Sequence, residues 1–215
     1  MIITNLKQGV KNQNRVNVFV DGKFAFSLGV AQVVDLGVKV GVELSEERLE
    51  ELKKASEFGK LYQRALEKAL TRPHSEREMR EYLSRKLRNS SSDALEGARP
   101  SLRFSEELFE LLETVLRRLI AKGYVNDQRF AEYYVENRFV KKGVSRKRLA
   151  MELTKKGVAR EIIDEVLDGR NDEAEILKMI AKKRAKYDDE KLIAYLCRQG
   201  FAYDLAKRCV KGYRD

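Results

Sequence analysis

Branched and aromatic residues cluster on either side of Asp21-Gly22, from Arg15 to Val20 and from Lys23 to Leu28. Asp-Gly supplies the positive φ angles of a tight type I′ turn, so the pattern predicts a β-hairpin. An isolated hairpin is marginal, and Ile2–Leu6 is the natural third strand. Val30–Leu44 is punctuated by glycine and predicts a short helix followed by a turn. Residues 1–44 therefore read as a small β-rich cap. From Ser45 onward the apolar positions fall at helical spacing. Residues 45–58 carry many glutamates and predict an acidic linker helix. A separate helix follows over 59–71, with Leu61, Ala65, Leu66, Ala69 and Leu70 on one face and Pro73 as its stop. Ser75 starts the next, with Met79, Tyr82, Leu83 and Leu87 inward, and Ser75-Glu76-Arg77-Glu78 has the form of a capping box. The Ser/Gly/Pro-bearing stretch 89–104 predicts a surface excursion. Ser105 then caps a long helix whose broad apolar face runs from Leu108 to Ile120 and ends at Gly123.

An internal repeat organises the remainder. Shifting the chain by 43 residues places Ala131 on Ala174, Leu149 on Leu192, Leu153 on Leu196 and Gly157 on Gly200. A shift of 70 places Ser75 on Ser145, Met79 on Leu149 and Leu83 on Leu153. The predicted architecture is mainly α: three tandem three-helix repeats over 59–127 (with the insertion 89–104), 128–170 and 171–215, stacked into an elongated curved array behind the cap. Each repeat is too small to bury its apolar face alone, which is why stacking is expected.

Charge sharpens this picture. The chain carries +10 at neutral pH and 36% charged residues, so an acidic partner or nucleic acid is favoured. Between residues 138 and 160, nine basic residues face a single acid, Glu152: Arg138, Lys141, Lys142, Arg146, Lys147, Arg148, Lys155, Lys156 and Arg160. The stretch reads as helix, turn, helix, stop, with Gly143 ending one helix, Ser145 capping the next and Gly157 ending that one through left-handed backbone. A helix N-terminus is positive, so acids belong in its first turn. Arg146, Lys147 and Arg148 break that rule and become the foremost candidates for an anionic partner. Lys141, Lys142, Lys155 and Lys156 sit in last turns, where they serve the helix dipole equally well. Phe130, Tyr133, Tyr134 and Phe139 could stack on bases, but their helical spacing favours core.

Catalytic chemistry finds little support. The single histidine, His74, lies in a turn between Pro73 and Ser75. No phosphate-cradling glycine loop or zinc-spaced cysteine set is present, and no cofactor is expected. Asp188-Asp189-Glu190 opens a helix, where acids are at home. Cys197 and Cys209 lie among leucines and valine and read as buried free thiols. No apolar run approaches a membrane span, and the first residues are no signal peptide, so a cytoplasmic location is expected.

Asp127-Gln128-Arg129-Phe130-Ala131, the Lys142-Gly143-Val144-Ser145 joint and Leu149-x-x-x-Leu153-x-x-Lys156-Gly157-Val158 together resemble the RecX family of recombination regulators. The resemblance covers roughly 59–212, and the leader 1–44 is similar to the N-terminal extension of some members. It departs from the family in the first repeat, where Arg88-Asn89 and the excursion stand in place of a Lys-Gly stop. The resemblance implies a cytoplasmic modulator of the RecA recombinase that lies in the groove of the RecA–DNA filament, and a non-catalytic monomer is expected. Such a protein inhibits the ATPase, strand exchange and coprotease activities of RecA. The alternative from the residues themselves is a DNA-binding protein of tandem helix-turn-helix-like units, holding single- or double-stranded DNA weakly and nonspecifically through phosphates.

Overall fold

The computed structural model describes residues 1–10, 12–92, 106–141 and 143–213. Among them are three strands and ten helices, grouped into two compact units: residues 1–71 with 80–121, and residues 72–79 with 122 onward. No helix among the described residues is long and apolar enough to cross a membrane.

The first unit opens with β1 (Ile3–Gln8), β2 (Arg15–Val20) and β3 (Lys23–Gly29) in an antiparallel sheet of order β1-β2-β3. The hairpin turn is as the sequence predicts, with Asp21 at φ 47° and Gly22 at φ 80°. Val18 pairs with Phe26 and Val16 with Leu28, so Val18, Phe26 and Leu28 are buried together. Helix α1 (Val30–Asp35) follows, and the segment after it returns along β1: Ile3 donates to Val42 O at 3.0 Å and Gly41 to Ile3 O at 2.8 Å. That return edge is invisible in a glycine-punctuated stretch of sequence.

Helix α2 runs unbroken from Glu46 to Ala69, capped by Ser45 Oγ, which accepts the Arg48 N–H at 3.2 Å. The expected division into a linker helix and a second helix at Gly59 is not seen. Gly59 serves a different purpose. The Gln32 side chain of α1 bonds Gly29 N–H and Ala55 O and lies so close that a Cβ on Gly59 would come within 2.3 Å of it. The glycine admits a neighbour; it does not stop a helix. Leu52, Leu61, Ala65 and Ala69 form the buried stripe of α2.

Helix α3 (Glu76–Ser92) runs past Asn89, so the first residues expected in the surface excursion are helical. The rest of the excursion and the Ser105 cap lie outside the described residues. Helix α4 (Glu106–Ala121) packs on α2 through Leu112, Val115, Leu116 and Leu119, all buried. Arg80 Nε meets Glu113 Oε1 at 2.8 Å, and the Arg118 guanidinium lies over the stacked Phe58 and Tyr62 rings.

The second unit holds α5 (Asp127–Lys141), α6 (Arg146–Lys155) and α7 (Arg160–Val166), then α8 (Asp172–Lys183), α9 (Asp189–Arg198) and α10 (Tyr203–Gly212). Each triplet has its own core. Phe130, Leu149, Leu153, Val158 and Ile163 join in one, and Ile176, Ile180, Leu192, Leu196 and Phe201 in the other. The Gly143 reading needs correction. Its backbone is not left-handed; instead Met179 of α8 packs against it, and a Cβ there would sit 2.4 Å from the Met179 sulfur. Cys209 is buried, and burial pushes its thiol pKa up; Cys197 is only half-buried. Cys197 follows Leu196, and one helical step turns it about 100° from the core direction.

Candidate partner-binding site at the serine-capped helix joints

The two serines aligned by the 70-residue shift build matching joints, both within the second unit. Ser75 Oγ accepts the Glu78 N–H at 3.1 Å and donates to Lys156 O at 2.8 Å. The first helical amide, Glu76 N–H, donates to Asp127 Oδ1 at 2.8 Å. At the second joint Ser145 Oγ accepts the Arg148 N–H at 3.2 Å, Ser145 N–H donates to Gln199 O, and Arg146 N–H donates to Asp172 Oδ1 at 2.8 Å. In each joint the start of one helix meets the last carbonyls of a helix from the following triplet, α3 on α6 and α6 on α9. The first acid of that triplet, Asp127 or Asp172, supplies the extra acceptor. Orphan donors at one end and orphan acceptors at the other satisfy each other.

Gly157 and Gly200 make the close approach possible. Both are left-handed, at φ 84° and 94°, and a Cβ on either would press into the facing helix start. Asp172→Ala should cost about 0.5–1 kcal/mol in urea unfolding, because the exposed first amide of α6 loses its carboxylate acceptor to water. Hydrogen exchange at Arg146 should quicken in the same variant.

The third helical residue distinguishes the joints. In the first it is Glu78, expected to complete a capping box but turned instead toward its surroundings. Lys156 Nζ at 2.8 Å, Arg72 Nη1 at 3.0 Å and His74 Nδ1 at 3.1 Å converge on its carboxylate. Burial alone would raise the Glu78 pKa. The hydrogen bonds from Lys156, Arg72 and His74, with the charge of Arg72, outweigh it and hold the group at about 2. An ionised carboxylate only accepts, so Nδ1 of buried His74 carries the hydrogen of that bond.

In the second joint the third residue is Arg148. Its Nη1 donates to Arg198 O at 2.6 Å, and its Nε to Glu152 Oε1 at 3.3 Å. Tyr134 OH binds the other Glu152 oxygen at 3.0 Å. The basic first turn is thus partly explained from within: Arg148 sits at the negative C-terminal end of α9, where a cation is favoured. Local sequence shows only the positive end of α6, because Arg198 lies 50 residues away.

The nine basic residues separate accordingly. Arg146, Lys147 and Lys155 are exposed on α6, and their side chains have no partner among the described residues. Lys156 holds Glu78, Arg148 holds Glu152, and Arg160 reaches Asp164 at 3.6 Å in a mostly exposed pair worth little. The side chains of Arg138 and Lys141, and all of Lys142, lie outside the described residues. Lys147, Met151 and Lys155 follow one another at four-residue intervals along the outer face, and Met151 is 54% exposed. Phe130 is fully buried and Tyr134 packs beside it at 5.8 Å, so these rings are core as their spacing implied. Phe139 lies outside the described side chains.

Asp188 is the N-cap of α9, accepting the Lys191 N–H at 2.8 Å. Among the described residues no group of three His, Cys, Asp or Glu side chains is placed to hold a metal ion.

A three-stranded antiparallel sheet followed by helices grouped in threes, with serine-capped starts seated on the helices of the next triplet, defines a mainly helical, module-built protein. Residues 126–167 match the model of the second three-helix domain of RecX, and residues 1–45 that of the regulatory protein RecX N-terminal domain. The regulatory protein RecX of Caldanaerobacter subterraneus subsp. tengcongensis is 30% identical over 210 residues, spanning 94% of both chains. That of Listeria monocytogenes serotype 4b (strain CLIP80459) is 29% identical over 217 residues, 96% of this chain and 74% of the relative. A crystal structure of regulatory protein RecX superposes with a TM-score of 0.70 at 19% identity over 98% of each chain. RecX from Lactobacillus salivarius gives 0.54 at 20% identity over 73% of this chain and 96% of its own. The chain belongs to the RecX family of non-enzymatic regulatory proteins.

Proposed function

We propose that this chain is a cytoplasmic, monomeric modulator of the RecA recombinase that binds in the groove of the RecA–DNA filament. In this reading it inhibits RecA ATPase, strand exchange and coprotease activities and so moderates recombination and DNA repair. The observation that carries the reading is the outer face of α6, where Arg146, Lys147 and Lys155 project without a carboxylate partner among the described residues. These lie inside the segment matched to the second three-helix domain of RecX. Unanswered cations on one rigid helix supply charge complementarity to an acidic protein surface, which governs encounter and specificity. Arg138, Lys141 and Lys142 extend the same basic stretch. Arg148, Lys156 and Arg160 contribute charge while already serving carboxylates of their own chain.

The test is RecA ATPase on single-stranded DNA with substoichiometric amounts of this protein. Arg146→Glu with Lys147→Glu should raise the amount needed for half-inhibition about tenfold or more, with helicity unchanged by circular dichroism. Inhibition indistinguishable from the parent chain would sink the proposal. Arg148 is left intact in this variant, because it also anchors Arg198 O.

The same three cations suit phosphate oxygens, so weak nonspecific contact with single- or double-stranded DNA is compatible with filament binding. Tight, steeply salt-dependent binding to bare DNA without RecA would instead make DNA the primary partner.

A further inference from the structure

A second basic cluster lies in the first unit, remote in sequence from α6, and it has an organised geometry. Arg15 stands at the start of β2. Its Nε donates to Ser27 Oγ at 3.1 Å and its Nη2 to the Ser27 carbonyl oxygen. The same carbonyl accepts Ser56 Oγ of α2 at 2.6 Å, and Ser56 is buried. Ser27 therefore fixes the Arg15 guanidinium against α2 at the level of Ser56. Lys60 and Arg64 follow Ser56 at four-residue intervals, so all three share one stripe of the helix. A guanidinium has five N–H donors, and two of those on Arg15 are spent on Ser27.

The charge of Glu57 opposes that of Lys60, but it forms no ion pair with the cluster among the described residues. Neither Arg15, Lys60 nor Arg64 has a carboxylate ion-pair partner among the described residues. Burial lowers the Lys60 pKa, and the charges of Arg15 and Arg64 lower it further against the opposing pull of Glu57. Burial and Arg64 lower that of Arg15 in the same way. Like charges crowded on a fixed frame are unfavourable unless an anion relieves them, and such clusters are characteristic of binding sites.

We propose that Arg15, Lys60 and Arg64 form a phosphate-binding site on the first unit, with the clamped Arg15 presenting its free N–H edge to two oxygens and the two α2 cations flanking them. The chemistry favours a tetrahedral oxyanion of high charge, since a forked donor and two mobile cations can answer three oxygens at once. The source is either a nucleic-acid backbone or a free phosphate compound, and the site does not depend on the α6 face.

Two titrations of the full chain test this. One follows the amide signals of residues 56–64 by NMR as inorganic phosphate and then pyrophosphate are added. The other measures binding of a short labelled duplex against salt for the parent and for Lys60→Gln with Arg64→Gln, whose fold is checked by melting. If the source is nucleic acid, the salt slope should flatten by about 0.9 log units per log unit of salt, the share of the one phosphate this site holds. Duplex affinity should also fall about three- to tenfold. If the amide signals move with pyrophosphate while duplex binding is unchanged, the site stands and its ligand is a free phosphate compound. Arg15→Lys, which keeps the charge but loses the fork, should weaken either response. No shift with either phosphate and no change in duplex binding would overturn the proposal. A response to polyglutamate alone would overturn it too, assigning the cluster to an acidic protein.

Discussion

Replacing Glu78 with glutamine is expected to destabilise the second unit by about 2–3 kcal/mol at neutral pH. The carboxylate is only 14% exposed and receives Lys156, Arg72 and His74 together, so removing its charge leaves three donors around a neutral amide. The pH dependence follows from the same geometry. The carboxyl titrates at about 2 when folded and near 4.5 when unfolded. Its contribution is therefore complete above about pH 4.5 and is lost as the pH falls toward 2, amounting to roughly 3 kcal/mol over that interval. Urea unfolding at neutral pH and again near pH 2 should show the parent and variant well separated at the first and convergent at the second. Equal stability of the two proteins at neutral pH would mean the convergence on Glu78 is energetically idle.

The second large effect is expected at the joint glycines. Gly200→Ala places a methyl 2.6 Å from Ser145 Oγ and 2.9 Å from Arg148 Cβ, in a residue held at φ 94°. Gly157→Ala places one 2.7 Å from Arg77 Cβ at φ 84°. A left-handed non-glycine costs about 1 kcal/mol by itself, and prising the joint apart adds overpacking, for about 2–4 kcal/mol in total. The melting temperature should fall about 5–15 °C. Gly169→Ala is the control: φ is 68° but open space surrounds the added Cβ, so only the conformational cost of about 1 kcal/mol should appear. Equal losses at Gly169 and Gly200 would show that close approach at the joint adds nothing.

Much of the architecture could be read from residue order because it is set locally. The Asp21-Gly22 turn, the apolar spacing in each helix and the Ser45, Ser75 and Ser145 caps all act within a few residues. The misreadings share one cause, a partner distant in sequence. Gly59 looks like a helix stop until Gln32 is placed against it, and Gly143 looks left-handed until Met179 is. Glu78 fits a capping box until Lys156, 78 residues later, is brought to its side. In sequence Arg148 has the character of a cation in want of an external anion; its companions Arg146 and Lys147 keep that character, whereas Arg148 faces Arg198 O. Lys60 and Arg64 are ordinary in sequence, two cations on a Lys/Glu-rich helix. What singles them out is Arg15, brought beside them by the sheet.

The joints also set a schedule for biosynthesis. Ser75 waits for Lys156, 81 positions further on, and Arg148 for Arg198, 50 further on. At about 5–20 residues per second, a ribosome needs several seconds to deliver each missing half. A nascent chain halted between Gly157 and Arg198 would hold α6 with its front end unlatched, a transient substrate for chaperones or proteases that the finished molecule no longer offers.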